Sequence, residues 1–271
     1  MTEPAIADDL ALALAVAADA DLVSLPRFRA LDLLVETKPD RTPVTDADRA
    51  VERLIRERIG AARPGDSILG EEYGEEGSRD GRQWIVDPID GTANFLRGVP
   101  VWGTLIALAV GGVPRVGVVS APALGLRWWG AEGLGAWSDR ASGDRVDPVH
   151  GAPRRLRVSR VGQLADAYVS HGAIQIWESL GRGGQLAGIA REVWRDHGYG
   201  DFWQHMLVAE GAIDAAAEFG IQPYDVAAII PIVEEAGGRF TDAEGTPGPW
   251  GGSALTTNGL LHDALLDRLR G

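Results

Sequence analysis

A layered α/β fold is predicted by three features of the 271-residue chain. Segments with helical periodicity interleave with short apolar runs along the whole length instead of being sorted into separate halves. The strongest run, Trp84-Ile85-Val86, shows no polar alternation and reads as a strand buried on both faces. No repeat and no Pro/Gly/Ser-rich linker divides the chain near its middle. Length alone allows one or two domains at ~150 residues each. The expectation is therefore a single domain over 1–271 with two lobes, roughly 1–150 and 151–271.

The elements follow in order. Residues 5–28 read as a helix, with Ile6, Leu10, Ala13, Leu14 and Ala17 in helical spacing and Pro26 near its end. Residues 37–44 contain two prolines and read as a loop. Thr45 is the expected N-cap of a second helix running to Ile59, with Val51, Leu54 and Ile55 facing inward. Pro64-Gly65 breaks the chain, and a short apolar piece at 67–69 runs into Gly70-Glu71-Glu72. Residues 74–82 read as a polar loop. Strands are expected at 83–87, 104–110, 115–120 and 126–129, with a Gly111-Gly112 turn between the second and third, and residues 133–137 add another. In the second half, strands at 167–170, 212–218 and 239–241 alternate with helices at 184–194, 202–210, 225–236 and 260–269. Gly237-Gly238 stops the 225–236 helix.

Composition narrows the function. Hydrophobic residues make up 45% and charged residues 24%, as in ordinary globular proteins. There is no cysteine, which excludes disulfides, thiolate metal sites and cysteine nucleophiles. Any metal must be held by oxygen or imidazole. The 39 acids outnumber the 26 bases, for a net charge of −13, so neither nucleic acid nor an anionic membrane is an expected partner. Glu3, Asp8 and Asp9 stand where a signal peptide carries positive charge, and a cytoplasmic protein is expected. Among the bases only Lys38 is a lysine. A point charge that Arg cannot replace in a tight site is one reading of it, and a solvated loop residue is the other.

The chemistry concentrates in Trp84-Ile-Val-Asp87-Pro-Ile-Asp90-Gly-Thr92-Ala-Asn94-Phe95. An apolar strand runs into two acids around a proline, then into Gly91 and Thr92, whose N–H groups would open a helix or turn that favours an anion. Alone, such a stretch is more often a capped turn. Glu71 and Asp225 add acids from two distant segments. Four carboxylates from three segments form a hard-oxygen set suited to Mg²⁺ or Mn²⁺.

Gly70-Glu71-Glu72, Asp87-Pro-Ile-Asp90-Gly-Thr92-Ala-Asn94-Phe95 and Tyr224-Asp225-Val-Ala-Ala228 together resemble the three signature motifs of the inositol monophosphatase superfamily. The resemblance runs from Lys38 to Phe240, and the one departure is Tyr224, where that superfamily usually has Trp. It implies an αβαβα sandwich and a site with two to three Mg²⁺ ions. Glu71, Asp87 and the Ile89 carbonyl are then expected to hold one ion, Asp87, Asp90 and Asp225 a second, and Glu71 with water a weaker third. Thr92 is expected to help activate the attacking water and Asp48 to orient Thr92, while the Gly91 and Thr92 N–H groups hold the phosphate and Lys38 lies near the metals.

Within the superfamily the chain is most similar to the bacterial histidinol-phosphate phosphatases. Residues 100–108, Ser120-Ala-Pro-Ala-Leu124 with Arg127-Trp128-Trp129, Gly198-Tyr-Gly-Asp201-Phe-Trp203 and the 251–259 tail carry that likeness. It implies hydrolysis of L-histidinol phosphate in histidine biosynthesis. The substrate's amine and imidazole welcome an acid, and Asp201 and Glu218 are the candidates, with Arg195 and His197 nearby. His197 departs from the arginine often found near that position. Asp201 reads equally well as the N-cap of the next helix. The other histidines, His150, His171, His205 and His262, show no ligand spacing, and no role is expected of them. The nine tryptophans are expected mainly in the core or a subunit interface, and a homodimer is expected. An inositol- or sugar-phosphate monoesterase is the first alternative. A non-catalytic metal- or anion-binding protein is the second, disfavoured because the motif acids and Thr92 occur together.

Overall fold

The structure, a computed structural model, describes residues 5–37, 43–139 and 152–270. The first half runs α1 (Ile6–Arg27), β1 (Val35–Thr37), β2 (Pro43–Thr45), α2 (Asp46–Ala62), β3 (Ser67–Gly70), β4 (Gly74–Glu76), β5 (Arg82–Asp90), α3 (Thr92–Arg97), β6 (Gly103–Val110), β7 (Val113–Ala121), β8 (Leu126–Ala131) and β9 (Gly135–Asp139). The second runs β10 (Arg154–Arg155), β11 (Tyr168–His171), α4 (Ile174–Ser179), α5 (Gly183–Glu192), β12 (Arg195–His197), α6 (Asp201–Ala209), β13 (Ala215–Phe219), α7 (Pro223–Val226), α8 (Ile229–Glu235), β14 (Arg239–Thr241), β15 (Ser253–Thr257) and α9 (His262–Arg270).

Two sheets organise these elements. The larger has the order β10-β9-β8-β7-β6-β5-β3-β4 and is antiparallel except where β3 runs parallel to β5. The smaller, β12-β11-β13-β15-β14, is mixed. The strand period sorts the core. Trp84, Val86, Ile106 and Leu108 point to the face covered by α1 and α2, where Ala13, Ala17, Val51 and Ile55 meet them. Their neighbours Ile85, Leu105 and Ala107 point to the opposite face and pack on Phe202, Met206, Val226 and Ile232. Beyond the second sheet, Val169, Ala217 and Leu255 bury Trp177, Ile189 and Leu266 of α4, α5 and α9. The layers are therefore αβαβα, as expected. Among the described residues, no helix is long and apolar enough to cross a membrane.

α2 begins where the sequence predicts. The Thr45 hydroxyl accepts the Ala47 and Asp48 N–H groups, and Asp48 returns a bond to the Thr45 N–H. Four expectations change. The 74–82 loop contains β4, an exposed edge strand paired antiparallel to β3. The 37–44 loop is flanked by β1 and β2, which pair with each other. The expected 225–236 helix is two, α7 and α8, because Pro231 has no N–H for the Ala227 carbonyl. β12 and β15 were not foreseen, being short and polar or small-residue stretches without apolar alternation. The central helices press closely on the first sheet: a Cβ at Gly117 would lie 2.0 Å from the Ala228 carbonyl oxygen, so only glycine fits there.

Candidate active site

β5 delivers two carboxylates to one place. Residues three apart on a regular strand point to opposite faces. Between Asp87 and Asp90 the register with β6 slips, around a proline that has no N–H for the ladder. The Pro88 carbonyl accepts the Thr104 hydroxyl at 2.8 Å, and the Asp87 carboxylate accepts the Ile89 N–H at 3.0 Å. Asp225 of α7 meets the two acids there, held by the Gln222 N–H at 2.6 Å. One carboxylate oxygen from each of Asp87, Asp90 and Asp225 lies within 4.8 Å of the others. Glu71, at the end of β3, shares a side-chain hydrogen bond with Asp87 and acts electrostatically on Asp225 and Asp48. The structure thus brings the four motif acids together.

Their electrostatics follow. Burial, then Glu71 and Asp90, raise Asp87 well above the usual carboxylate range. Burial, then Asp201 and Asp225, do the same to Asp90. Asp225 is pushed up to about 7, first by burial and then by Glu71, Glu218 and Asp201, against the pull of the Gln222 N–H. The raising charges in each case are other carboxylates. One buried and two half-buried acids that repel one another and offer only hard oxygen donors fit a divalent cation such as Mg²⁺ or Mn²⁺.

Asp48 and Thr92 stand beside this cluster. The Thr92 hydroxyl, at the start of α3, lies 3.3 Å from Asp48 Oδ1 and 3.0 Å from the Ile89 carbonyl oxygen. Asp48 Oδ2 accepts from the Thr45 N–H and hydroxyl, so the capping box that starts α2 also aims Oδ1 at Thr92. Burial raises the Asp48 pKa, with the Thr45 bonds opposing it. Gly91 precedes Thr92 with φ of +80°, a backbone that admits glycine and bends β5 into α3. Lys38 lies outside the described residues.

Glu52 was missed from the sequence. It is fully buried, and its carboxylate accepts the Glu72 N–H at 2.7 Å, the Tyr73 N–H at 3.2 Å and Arg56 Nε at 2.8 Å. It braces the turn that carries Glu71. Gly70 is required beside it, since a Cβ there would fall 2.0 Å from Glu52 Oε1. The available signal was an acid four residues after Asp48, between the buried positions Val51 and Ile55.

A cavity of about 590 Å³ opens next to the acids, lined by His171, Gly172, Asp196, His197, Tyr199 and Asp201 among others. The residue that caps α6 is Gly200, so the N-cap reading of Asp201 does not hold. Asp201 takes a left-handed backbone, φ of +49°, and its Oδ2 accepts from Asn94 Nδ2 at 2.9 Å. Asp90 instead accepts the amide of the second residue of that helix, Phe202 N–H, at 2.7 Å. Burial, then Glu218, pushes Asp201 up to about 6. Glu218 of β13 is buried and accepts from His205. His197 lines the cavity and packs on the Tyr199 ring at 4.5 Å. Arg195 sits over the Tyr168 ring, outside the cavity lining. No role was expected of Asn94 or His205 from the sequence, yet both touch the candidate recognition acids.

Residues 7–270 match the model of the inositol monophosphatase family. The chain belongs to that family. A histidinol-phosphatase of Mycobacterium tuberculosis is 55% identical over 97% of this chain and 98% of that protein. A histidinol-phosphatase of Streptomyces coelicolor is 50% identical over 98% of each. Among solved structures, the inositol monophosphatase of Anabaena superposes with a TM-score of 0.81 at 30% identity, covering 97% of this chain and 95% of that one. The α/β layering and the acidic cluster described above are thus those of a family member along the whole match.

Proposed function

We propose that this protein is a metal-dependent phosphomonoesterase that hydrolyses L-histidinol phosphate to L-histidinol and phosphate in histidine biosynthesis. The observation that carries the choice of ester is Asp201, a half-buried acid lining the cavity beside the metal cluster, where a cationic amine gains and a neutral polyol does not. The relatives named histidinol-phosphatase support the same choice.

In this reading Glu71, Asp87 and the Ile89 carbonyl would hold one Mg²⁺, and Asp87, Asp90 and Asp225 would hold a second. A third, weaker ion would be held near Glu71, and Mn²⁺ would suit the same hard oxygen donors. When bound, such ions neutralise charge on the phosphoryl group and lower the pKa of water. The protein's own groups do the rest. Asp48 Oδ1 takes the Thr92 hydroxyl proton in a hydrogen bond, leaving the Thr92 oxygen to accept from the attacking water. The Gly91 and Thr92 N–H groups hold the phosphate at the β5–α3 bend. Asp201 and Glu218 face the alcohol half, with His197 on the cavity wall. Arg195, stacked on Tyr168, shapes that wall from outside.

The test is a panel of histidinol phosphate, inositol 1-phosphate and glycerol phosphate with Mg²⁺. Histidinol phosphate should show the highest kcat/KM. Preference for inositol 1-phosphate would overturn the ester while leaving the metal reading. No turnover on any of the three would remove both.

A further inference from the structure

His205 has no place in the reaction as drawn so far, and its surroundings are unusual for a spare histidine. It is fully buried on α6, four residues and so one turn after Asp201. Nε2 lies 2.7 Å from Glu218 Oε1, and Nδ1 lies 2.8 Å from the Thr256 hydroxyl of β15. A carboxylate oxygen accepts, so the arrangement assigns the ring N–H to Nε2 as donor to Glu218 and leaves Nδ1 to accept from the Thr256 hydroxyl. The ring is thereby pinned at both nitrogens.

Glu218 is held so that its two oxygens do different things. Oε1 is taken by His205. Oε2 lies towards Gly172, which lines the cavity. A Cβ added to Gly172 would come within 3.1 Å of Oε2 and 2.9 Å of the Glu218 Cβ, so glycine keeps this approach open. Asp201 is arranged the same way. Among the described residues its hydrogen bonding is through Oδ2 to Asn94, with Oδ1 outside that bond. Two carboxylates are thus each tied by one oxygen to a side chain behind it: Asp201 lines the cavity, and Glu218, whose Oε2 lies towards the cavity-lining Gly172, acts on Asp201 electrostatically.

We propose that His205 is a positioning residue for cation recognition: through Nε2 it fixes Glu218 so that Oε2 joins Asp201 in a two-carboxylate cradle for one primary ammonium group of the substrate. This deepens the function proposed above and rests on it. His205 touches neither phosphate nor metal ligand in this arrangement. Its effect is on which ester is chosen, not on how the ester is cleaved.

The experiment measures kcat/KM with Mg²⁺ on histidinol phosphate and glycerol phosphate, for the wild type, His205→Phe, His205→Gln and Thr256→Val. The readout is the ratio of the two values. His205→Phe keeps a ring of similar size without a donor and should lower the ratio by about 5- to 10-fold, the upper part of the range for one lost ordinary hydrogen bond, since the effect on the substrate is indirect, mainly through KM for the cationic ester. His205→Gln returns an N–H near the Nε2 position and should recover the ratio to within about threefold. Thr256→Val loosens the ring from behind and should lower the ratio by a smaller factor. If His205→Phe fails to fold, the milder Thr256→Val decides. An unchanged ratio in the variants, or equal losses on both esters, overturns the inference while the ester assignment stands. A wild type without preference for histidinol phosphate overturns the assignment, and the inference falls with it.

Discussion

The acids that would hold metal and the acids that face the alcohol half of the ester are neighbours, yet they are held in place by different means. Asp87 and Asp90 are placed by main-chain events: a slipped register, a proline at the ladder and an Ile89 N–H returned to Asp87. Asp225 is placed by the capping of α7, and Asp48 by the capping of α2. Asp201 and Glu218 rest on side chains from afar, Asn94 and His205. Main-chain placement needs adjacent residues, so it survives in the sequence as a contiguous motif. Side-chain placement needs only proximity in space, and it leaves scattered single residues. Asp90 joins the two regions, since it accepts the Phe202 N–H next to Asp201.

The widest separation between the two regions should appear on removing a metal-holding charge. Asp90→Asn and Asp225→Asn keep shape and lose charge, and kcat should fall by at least ~10²-fold on every ester, because the loss strikes the stabilisation of both attacking and leaving oxygens. Excess EDTA should abolish turnover likewise. Steady-state rates at saturating Mg²⁺ check this, and near-normal turnover in either variant would take that residue out of the ligand set. Thr92→Ala comes next. It removes the hydroxyl that Asp48 orients, and a loss of about 10- to 10²-fold in kcat with little change in KM is expected, as for an interaction made in the transition state. A change confined to KM would move Thr92 from the metal side of the comparison to the binding side.

This contrast also explains what could be read in advance. Asp87, Asp90, Thr92 and Glu71 were legible because each follows an apolar strand and precedes a glycine or a turn. Thr45 was legible because an N-cap is a local pattern, whereas Asp48 entered only through the family resemblance, and its capping bond back to Thr45 came with the structure. The layer order and most strands followed from runs such as Trp84-Ile85-Val86, buried on both sides. Glu52 was not legible as a brace, because its partners Glu72 and Tyr73 lie twenty residues on and offer backbone N–H groups that no side-chain pattern marks. His205 was not legible because its partners Glu218 and Thr256 belong to β13 and β15, which only the second sheet brings side by side. The break between α7 and α8 was legible from Pro231 and was overridden by the continuous apolar period around it.

A sharper and smaller test acts on the binding side alone. Asp201→Asn keeps the bond to Asn94 within reach but removes the charge offered to an amine. The kcat/KM for histidinol phosphate should fall about tenfold more than that for glycerol phosphate, which corresponds to ~1.5 kcal/mol for a charge-assisted hydrogen bond. Equal losses on both esters would make Asp201 a support of the α6 terminus and take it out of substrate recognition.

The smallest effect concerns stability without metal, and it reads the acidic cluster directly. Asp225 titrates at about 7 in the folded protein against its usual 3.8, and Asp87 and Asp90 are raised well above the same value. A folded chain that holds protons more tightly than the unfolded one is favoured by acid. The contribution is complete below about pH 4, where both states are protonated, and it is lost as the pH rises through about 7, where the folded carboxyls must ionise beside one another. The metal-free protein should therefore melt at a lower temperature at about pH 8 than at about pH 5, with each kcal/mol lost worth roughly 2 °C in a chain of this length. Bound Mg²⁺ favours the ionised carboxylates and should shrink or reverse that slope. Asp201, raised to about 6 and outside the metal set, adds to the loss in both conditions, so Asp201→Asn should flatten the slope with and without Mg²⁺ while Asp225→Asn flattens it mainly in EDTA. Thermal melts across this range, with Mg²⁺ and with EDTA, check the point. A metal-free Tm that holds or rises from about pH 5 to about pH 8 would mean that the three acids do not carry the mutual repulsion on which the metal reading depends.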